Sequence, residues 1–349
     1  MREIQTFIKI RIILLQTLVI MLITLSLGEI ALRIYNHYIP SFVFYSGSYE
    51  RWRGKPFADD WDFKLNSLGF KDEEFPDKKE NVYRILGIGD SFSYGVVPYR
   101  YNYLTLIESQ LHLQNSNVEI LNMGIPSIGP TDYLSLLVKE GLPLQPDMIL
   151  LSFFIGNDFE NSKKRELYEY SYIASLLHYI FTVRTKYEGS IVHGKAKYCD
   201  VCPNYPHEVY LQIESQQSLN YLVGNSQFYK KLDRSLYYLN KIKKICKTKG
   251  IDLVTVIIPD ELQINKDLWR DLRKTYYPNI KSDQWDIIRP NRMLSDELDK
   301  RGIDNIDLYE YFAAGASSQR LYRPRDTHWN IAGNQLAADI IKKYIKKYL

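Results

Sequence analysis

The chain of 349 residues is poor in cysteine, carries little net charge and has no nucleotide-binding glycine signature. Each absence excludes something. Three cysteines, Cys199, Cys202 and Cys246, cannot cross-link a chain of this length throughout. No such framework is required, because a chain this long buries enough apolar surface to fold on its core alone. A net charge of +4, with no basic arm and no zinc-finger spacing, argues against nucleic acid as a partner. No G-x-G-x-x-G and no P-loop follows the first predicted strand, which weakens a nucleotide-binding reading. What is present is ordinary in bulk: 45% hydrophobic and 25% charged residues. The length is a prior for one or two domains. The 29 tyrosines are an excess for which codon usage is preferred over a carbohydrate-facing surface, and they are given no functional weight.

The first exception to this ordinary composition is the N-terminus. Residues 12–28 (IILLQTLVIMLITLSLG) hold no charge. With residues 30–34 added, and Glu29 and Arg33 snorkelling toward the interface, the run is long enough to cross a bilayer. Arg2, Lys9 and Arg11 precede it, so the positive-inside rule leaves the N-terminus in the cytoplasm and exports the rest. A cleaved signal peptide would have a shorter apolar region and a small-x-small site, so an uncleaved anchor over 1–35 is the preferred reading. Residues 36–80 lack periodicity and read as a connecting segment.

From residue 81 onward, short apolar strands alternate with helices. Strands are expected at 82–89, 118–122, 147–154, 253–258 and 303–308. Helices are expected at 101–114, 131–139, 228–249 and 330–348. The helix at 228–249 carries an apolar stripe of Leu232, Leu236, Leu239, Ile242 and Ile245, and Gly250 stands where its C-terminal cap belongs. Strands apolar on both faces and separated by helices predict a three-layer α/β/α sandwich around a flavodoxin-like five-stranded parallel sheet. Such folds hold their sites beyond the carboxyl ends of the strands.

Four polar clusters fall at those ends. Gly89-Asp90-Ser91 follows the first strand and points a hydroxyl toward the start of a helix. Residues 122–129 (NMGIPSIG) follow the second, with small residues that admit a ligand close to the backbone. Gly156-Asn157-Asp158 follows the third and offers an amide N–H to a developing oxyanion. Asp326-Thr327-His328 opens the last helix, and of the six histidines only His328 has such a carboxylate two residues away. Each cluster alone reads equally well as a turn or a helix cap. Together they supply a nucleophile, a base, an orienting acid and oxyanion donors, the set that acyl transfer needs.

On these residues the sequence resembles the SGNH/GDSL hydrolase superfamily, in particular its bacterial membrane-anchored members. The resemblance implies Ser91 as nucleophile, His328 as base and Asp326 as acid. It implies an oxyanion hole from Ser91 N–H, Asn157 and a second-block N–H, which spacing puts at Ser127, flanked by Gly124 and Gly129. Phe92 directly after the serine departs from the superfamily pattern. The single residue between Asp326 and His328, followed by Trp329-Asn330 and Gly333, is similar to the alginate O-acetyltransferase-like branch. Residues 66–72 (NSLGFKD) and 28–33 (GEIALR) look like those of membrane-anchored members.

The expected protein is therefore a single-pass membrane enzyme with an extracytoplasmic catalytic domain at 81–349. It would hydrolyse acyl esters of a glycan or lipid, or transfer an acetyl group with a membrane partner as acyl donor. It would need neither metal nor organic cofactor. A non-catalytic glycan- or lipid-binding scaffold is the alternative of another class. The insertion at 159–227 is too long for an ordinary connection and reads as a cap over the acceptor. Within it, Cys199 and Cys202 read as a local disulfide in preference to half of a zinc site completed by His193 and His207.

Overall fold

The computed structural model describes residues 2–38, 53–114, 116–160, 167–178, 180–181 and 193–349. Parts of the connecting segment and of the insertion, at 39–52, 161–166, 179 and 182–192, lie outside the described residues. The chain forms two compact units, one of residues 1–51 with 164–190 and one of residues 52–163 with 191–349.

In the first unit, helix α1 (Arg2–Tyr38) contains a stretch Gln5–Tyr35 of 31 residues with mean hydropathy 2.3, none of it buried. That stretch is long and apolar enough to cross a membrane.

The second unit begins with a small antiparallel pair, β1 (Asp59–Asp60) and β2 (Phe63–Lys64). Its centre is a five-stranded parallel sheet in the order β4-β3-β5-β6-β7. The strands are β3 (Tyr83–Ile88), β4 (Val118–Asn122), β5 (Met148–Phe154), β6 (Asp252–Ile258) and β7 (Asp304–Asp307). Counted within the sheet this is the 2-1-3-4-5 order of flavodoxin-like folds, so strand order reverses between β3 and β5. All seven residues of β5 are buried, as expected for a strand covered on both faces. Each fully buried Leu, Ile or Phe side chain there contributes about 1.5–3 kcal/mol.

The predicted helices are present as α3 (Tyr103–His112), α4 (Pro130–Leu136), α7 (Ser226–Lys249) and α12 (Ile331–Ile345), the last preceded by a short α11 (Tyr309–Gly315). Helix α4 widens into a further turn over Leu137–Gly141. The stripe of α7 is buried at Leu232, Leu236, Leu239 and Ile242, while Cys246 rather than Ile245 completes it. Gly250 ends α7 in the left-handed region.

The connection from β6 to β7 holds helices that the apolar pattern does not announce: α8 (Glu261–Ile264), α9 (Lys266–Tyr276) and α10 (Arg289–Lys300). Only Leu268 and Leu272 of α9 are buried, so its sequence reads as polar. Within the insertion, α6 (His207–Ser218) belongs to the second unit, and α5 (Tyr172–His178) to the first. Cys199 and Cys202 form a disulfide. His193 is bonded to Asp60 instead of facing the cysteines, and among the described residues no cluster fit to hold a metal ion exists. The zinc alternative does not fit these residues.

Candidate active site

The site is built at the point where strand order reverses. β3 and β5 are hydrogen-bonded neighbours, Ile88 opposite Leu151, and the two turns that leave them carry Ser91 and Asn157. Ser91 opens the short helix α2 (Ser91–Tyr94), whose N-cap is Asp90. The Asp90 carboxylate accepts the Phe92 N–H at 2.9 Å, so Asp90 is a cap beside the serine. Gly89 keeps the turn tight, because a Cβ there would lie 2.2 Å from Ser93 Oγ.

A helix of four residues leaves carbonyls without intrahelical partners. Two asparagine side chains satisfy them. Asn102 Nδ2 donates to the carbonyls of Ser93 at 2.8 Å and Tyr94 at 3.1 Å, and Asn122 Nδ2 donates to Ser93 at 2.8 Å. Ser93 Oγ joins the Tyr103 hydroxyl at 2.9 Å, which joins Ser152 Oγ on β5 at 2.6 Å. The turn that carries Ser91 is thus held from below by β4, β5 and α3. Phe92 turns into the core, with its ring 4.5 Å from that of Phe154, 4.9 Å from Trp329 and 5.3 Å from His328.

His328 comes from the far end of the chain. Residues 320–330 form a narrow loop in which Tyr322 bridges to Trp329, Arg323 N–H donates to His328 O at 2.9 Å and Asn330 N–H to Leu321 O at 3.0 Å. The loop aims one imidazole nitrogen at each partner. His328 Nε2 is 2.7 Å from Ser91 Oγ, and Nδ1 is 2.6 Å from Asp326 Oδ1. Asp326 also accepts the His328 N–H at 3.2 Å, and its other oxygen accepts Arg323 Nη1–H at 2.7 Å. Burial alone would raise the Asp326 carboxyl; the charges of His328 and Arg323 and the hydrogen bonds from His328 overcome it and hold the carboxyl below its usual range. The proton on Nδ1 then faces Asp326 and leaves Nε2 free to accept from Ser91.

Arg323 has no signature in the sequence, and it has its own support in the fold. Its guanidinium lies 5.5 Å from the Tyr198 ring, and the Tyr198 hydroxyl donates to Asp200 at 2.6 Å. Asp200 lies between the bonded cysteines and accepts the Ile331 N–H, at the first residue of α12, at 3.1 Å. The disulfide loop therefore packs against the same short stretch that carries Asp326 and His328.

The oxyanion candidates differ in setting. Asn157 is half-buried in the turn after β5, and its Oδ1 has no partner among the described residues. Asp158 is fully buried beneath it and accepts Tyr133 Oη–H at 2.8 Å and Phe154 N–H at 3.0 Å. In the loop after β4, the N–H groups of Met123, Gly124 and Ile125 are spent on Gly87 O, Asn122 Oδ1 and Gly89 O. Pro126 has none. The N–H groups of Ser91, Ser127 and Gly129 donate to no group among the described residues. Gly124 serves packing instead. A Cβ there would lie 2.1 Å from Tyr94 N, so the loop can press against α2 only with glycine at that position. Ser127 is exposed, with φ of 64°.

Beneath Thr327 lies a buried acidic group that sequence reading missed. Glu214 is fully buried, and burial together with the charges of Asp260 and Glu261 drives its carboxyl well above the usual range. Tyr221 donates to Asp260 at 3.0 Å and Tyr210 to Glu261 at 2.5 Å. A cavity of about 500 Å³ opens past the ends of β6 and β7, lined by Glu261, Asn265, Lys266, Arg320 and Tyr322 among others, with neither Ser91 nor His328 in its wall.

With that geometry in place, similarity to known proteins adds one decisive observation. Residues 222–348 match the family described as SGNH hydrolase-like domain, acetyltransferase AlgX. Over that stretch the chain is similar to an SGNH hydrolase-like domain of the AlgX acetyltransferase type. The match begins before α7 and takes in β6, β7, the loop with Asp326 and His328, and α12. Among solved structures, an acetyl xylan esterase is 15% identical, with 75% of this chain and 99% of that one covered at a TM-score of 0.44. A lipase/acylhydrolase from Enterococcus faecalis is 14% identical, covering 76% and 97%, at 0.41. A catalytic mutant of an acetylxylan esterase from Geobacillus stearothermophilus is 13% identical, covering 76% and 94%, at 0.42. No curated protein matches the sequence.

Proposed function

We propose that this SGNH hydrolase-like chain is a serine-dependent acyl-ester enzyme, with Ser91 as nucleophile, His328 as general base and Asp326 as the orienting acid. One observation carries the reading: a continuous hydrogen-bonded line from Ser91 Oγ through both nitrogens of His328 to a buried, charged Asp326. A binding scaffold has no use for that line, and the scaffold reading is the weaker for it.

In the proposed reaction His328 Nε2 takes the Ser91 proton as Oγ bonds to the ester carbonyl carbon. The carbonyl electron pair moves onto oxygen, where the Ser91 N–H, the Asn157 side chain and an N–H from the loop after β4 receive it. Ser127 and Gly129 have N–H groups to give, whereas that of Gly124 is already spent. Collapse of the tetrahedral species breaks the bond to the alcohol oxygen, which takes the proton from His328. A second hydroxyl then attacks the acyl-serine, losing its proton to Nε2, and collapse of this species breaks the bond to Ser91 Oγ, which takes the proton back from His328. Water gives hydrolysis; a glycan or lipid hydroxyl gives transfer. No step asks for a metal or organic cofactor.

Hydrolysis of an O-acylated, chiefly O-acetylated, glycan or lipid is the first reading. Transfer is the second, and the family match to an acetyltransferase-like domain is the observation that favours it. In that case a membrane partner would supply the acyl group. The apolar stretch Gln5–Tyr35, preceded or opened by Arg2, Lys9 and Arg11, supports a single-pass anchor with a cytoplasmic N-terminus and an extracytoplasmic catalytic domain at 81–349. Within that domain, the insertion at 159–227 would act on acceptor choice.

The test is hydrolysis of p-nitrophenyl acetate by the full chain in detergent, beside Ser91→Ala. The expected result is acetate release that Ser91→Ala lowers by about 10⁴-fold or more. Adding a sugar acceptor then separates the two readings: an acetylated sugar at the expense of free acetate marks transfer. Equal rates for wild type and Ser91→Ala would refute the reading.

A further inference from the structure

Glu29 is an acid set in an apolar helix, a costly position unless the carboxylate is fully partnered. Sequence reading has it snorkel with Arg33. The structure gives it other work. Glu29 accepts Ser171 Oγ–H at 2.9 Å, Tyr172 N–H at 2.9 Å and Ile173 N–H at 3.0 Å, the last two being the first N–H groups of α5. Arg33 holds the same carboxylate at 2.6 Å, donates to Tyr170 O at 3.3 Å and lies 4.4 Å from the Tyr172 ring. Gly28 lets the two helices close up, since a Cβ there would meet Ile173 Cδ1 at 3.3 Å. The two charges in the last turns of the apolar stretch are both spent on receiving a segment that returns more than a hundred residues later.

The returning segment is itself apolar on its outer side. Leu167 is 89% exposed, Phe181 72%, Leu177 48% and Ile180 36%. On α1, next to Glu29 and Arg33 in the chain, Ile30 and Ile34 are likewise 53% and 56% exposed. The position along α1 matters too. Glu29 lies 17 residues beyond Ile12, which at 1.5 Å per residue is about 26 Å. That puts it near the far boundary of a hydrocarbon core about 30 Å thick. Tyrosine and histidine beside exposed leucine and phenylalanine are the side chains that suit the boundary between acyl chains and headgroups.

We infer that residues 167–178 and 180–181 belong to a second, interfacial part of the membrane anchor, seated in the bilayer surface and latched to α1 by Glu29 and Arg33. The occupant of the exposed apolar face is lipid, because the segment that carries it is latched to the helix that would cross the bilayer. This rests on the reading of α1 as a membrane span and is independent of the triad. The latch tethers one segment of the insertion to the membrane at the end of the span.

The experiment uses the full chain in nanodiscs of phosphatidylcholine and phosphatidylglycerol. An environment-sensitive fluorophore is attached at Leu177→Cys or Phe181→Cys, with Tyr237→Cys as a surface control (Tyr237 is 55% exposed on α7). Lipids spin-labelled near the headgroup should quench most of the fluorescence at 177 and 181, and labels deep in the acyl chain should quench less. The control should stay unquenched. Glu29→Ala should remove most of the quenching at 177 while the chain stays in the membrane after a carbonate wash. A retained chain with no quenching at 177 and 181 overturns the inference. So does a probe that is shielded only in native membranes, which would mean a protein partner. Loss of the chain on the carbonate wash overturns both this inference and the anchor, while p-nitrophenyl acetate hydrolysis reports separately on the serine enzyme.

Discussion

Asp326 and Asp90 are both buried carboxylates beside the same imidazole, and they are held in opposite directions. Asp326 has a guanidinium and an imidazole as direct partners and sits below its usual range. Asp90 has neutral donors as partners, the Phe92 N–H and the Asn157 side chain. Burial pushes it up to about 6, against that N–H, the charge of His328 and the Asn157 side chain. Asp158 below it is driven higher still, by burial and then by the charge of Asp90. Burial pushes all three carboxyls up, and only the charged partners of Asp326 pull one of them back below its usual range. The loop at 320–330 brings its own cation and can keep an anion beside His328. The turns after β3 and β5 bring only neutral donors and keep carboxyl groups for capping.

The sharpest way to break this contrast is Asp326→Asn. It leaves the volume unchanged but favours the wrong imidazole tautomer, and kcat for ester hydrolysis should fall about 10⁴-fold. A loss of tenfold or less would mean that the Asp326 charge is not what orients His328. Next comes Asn157→Ala on the neutral side. Removing one oxyanion donor should lower kcat about 10²–10³-fold with KM little changed; an unchanged kcat would take Asn157 out of the oxyanion hole.

Asp90→Asn keeps the cap and removes the titration. Because the folded-state pKa of Asp90 is raised, its contribution to stability is fully present below about pH 4 and lost as pH rises through about 6. The variant should therefore be more stable than wild type at pH 8, by up to about 3 kcal/mol, and the gap should close below pH 4. Urea unfolding at the two pH values measures it. Asp326 has the opposite sign, since its stabilisation is present above the ordinary carboxylate range and lost as pH falls through its depressed folded pKa. The smallest effect is expected for the joint change Cys199→Ser and Cys202→Ser. Opening so short a loop should cost about 2 kcal/mol, read as a lower Tm. A larger loss of kcat than of stability would show that the loop also steadies Arg323.

Much of the fold and site is legible in the sequence, for identifiable reasons. β3, β5 and β6 are apolar on both faces, so the parallel sheet follows from composition. Ser91, Asn157 and Asp326-Thr327-His328 stand out because each comes after a strand, on the one edge where such a fold places chemistry. Arg323 is not legible: an arginine three residues before an aspartate looks like any surface pair until the loop closes on itself. Asn102 caps α3, and both that and its second role under α2 need the fold to appear. Helices α9 and α10 are hidden because α9 buries only Leu268 and Leu272, and the buried residues of α10 include the polar Arg289 and Asn291. The latch on Glu29 is hidden by distance, its backbone partner at Tyr172 lying 143 residues away.

The central claim is that Ser91 is made nucleophilic by His328. The most direct measurement is labelling of the full chain with a fluorophosphonate, followed by mass-spectrometric mapping of the adduct. The account predicts one adduct, on Ser91, whose rate of formation collapses in His328→Ala while the fold is kept. An adduct on another serine, or a folded wild-type chain that takes none, would contradict it.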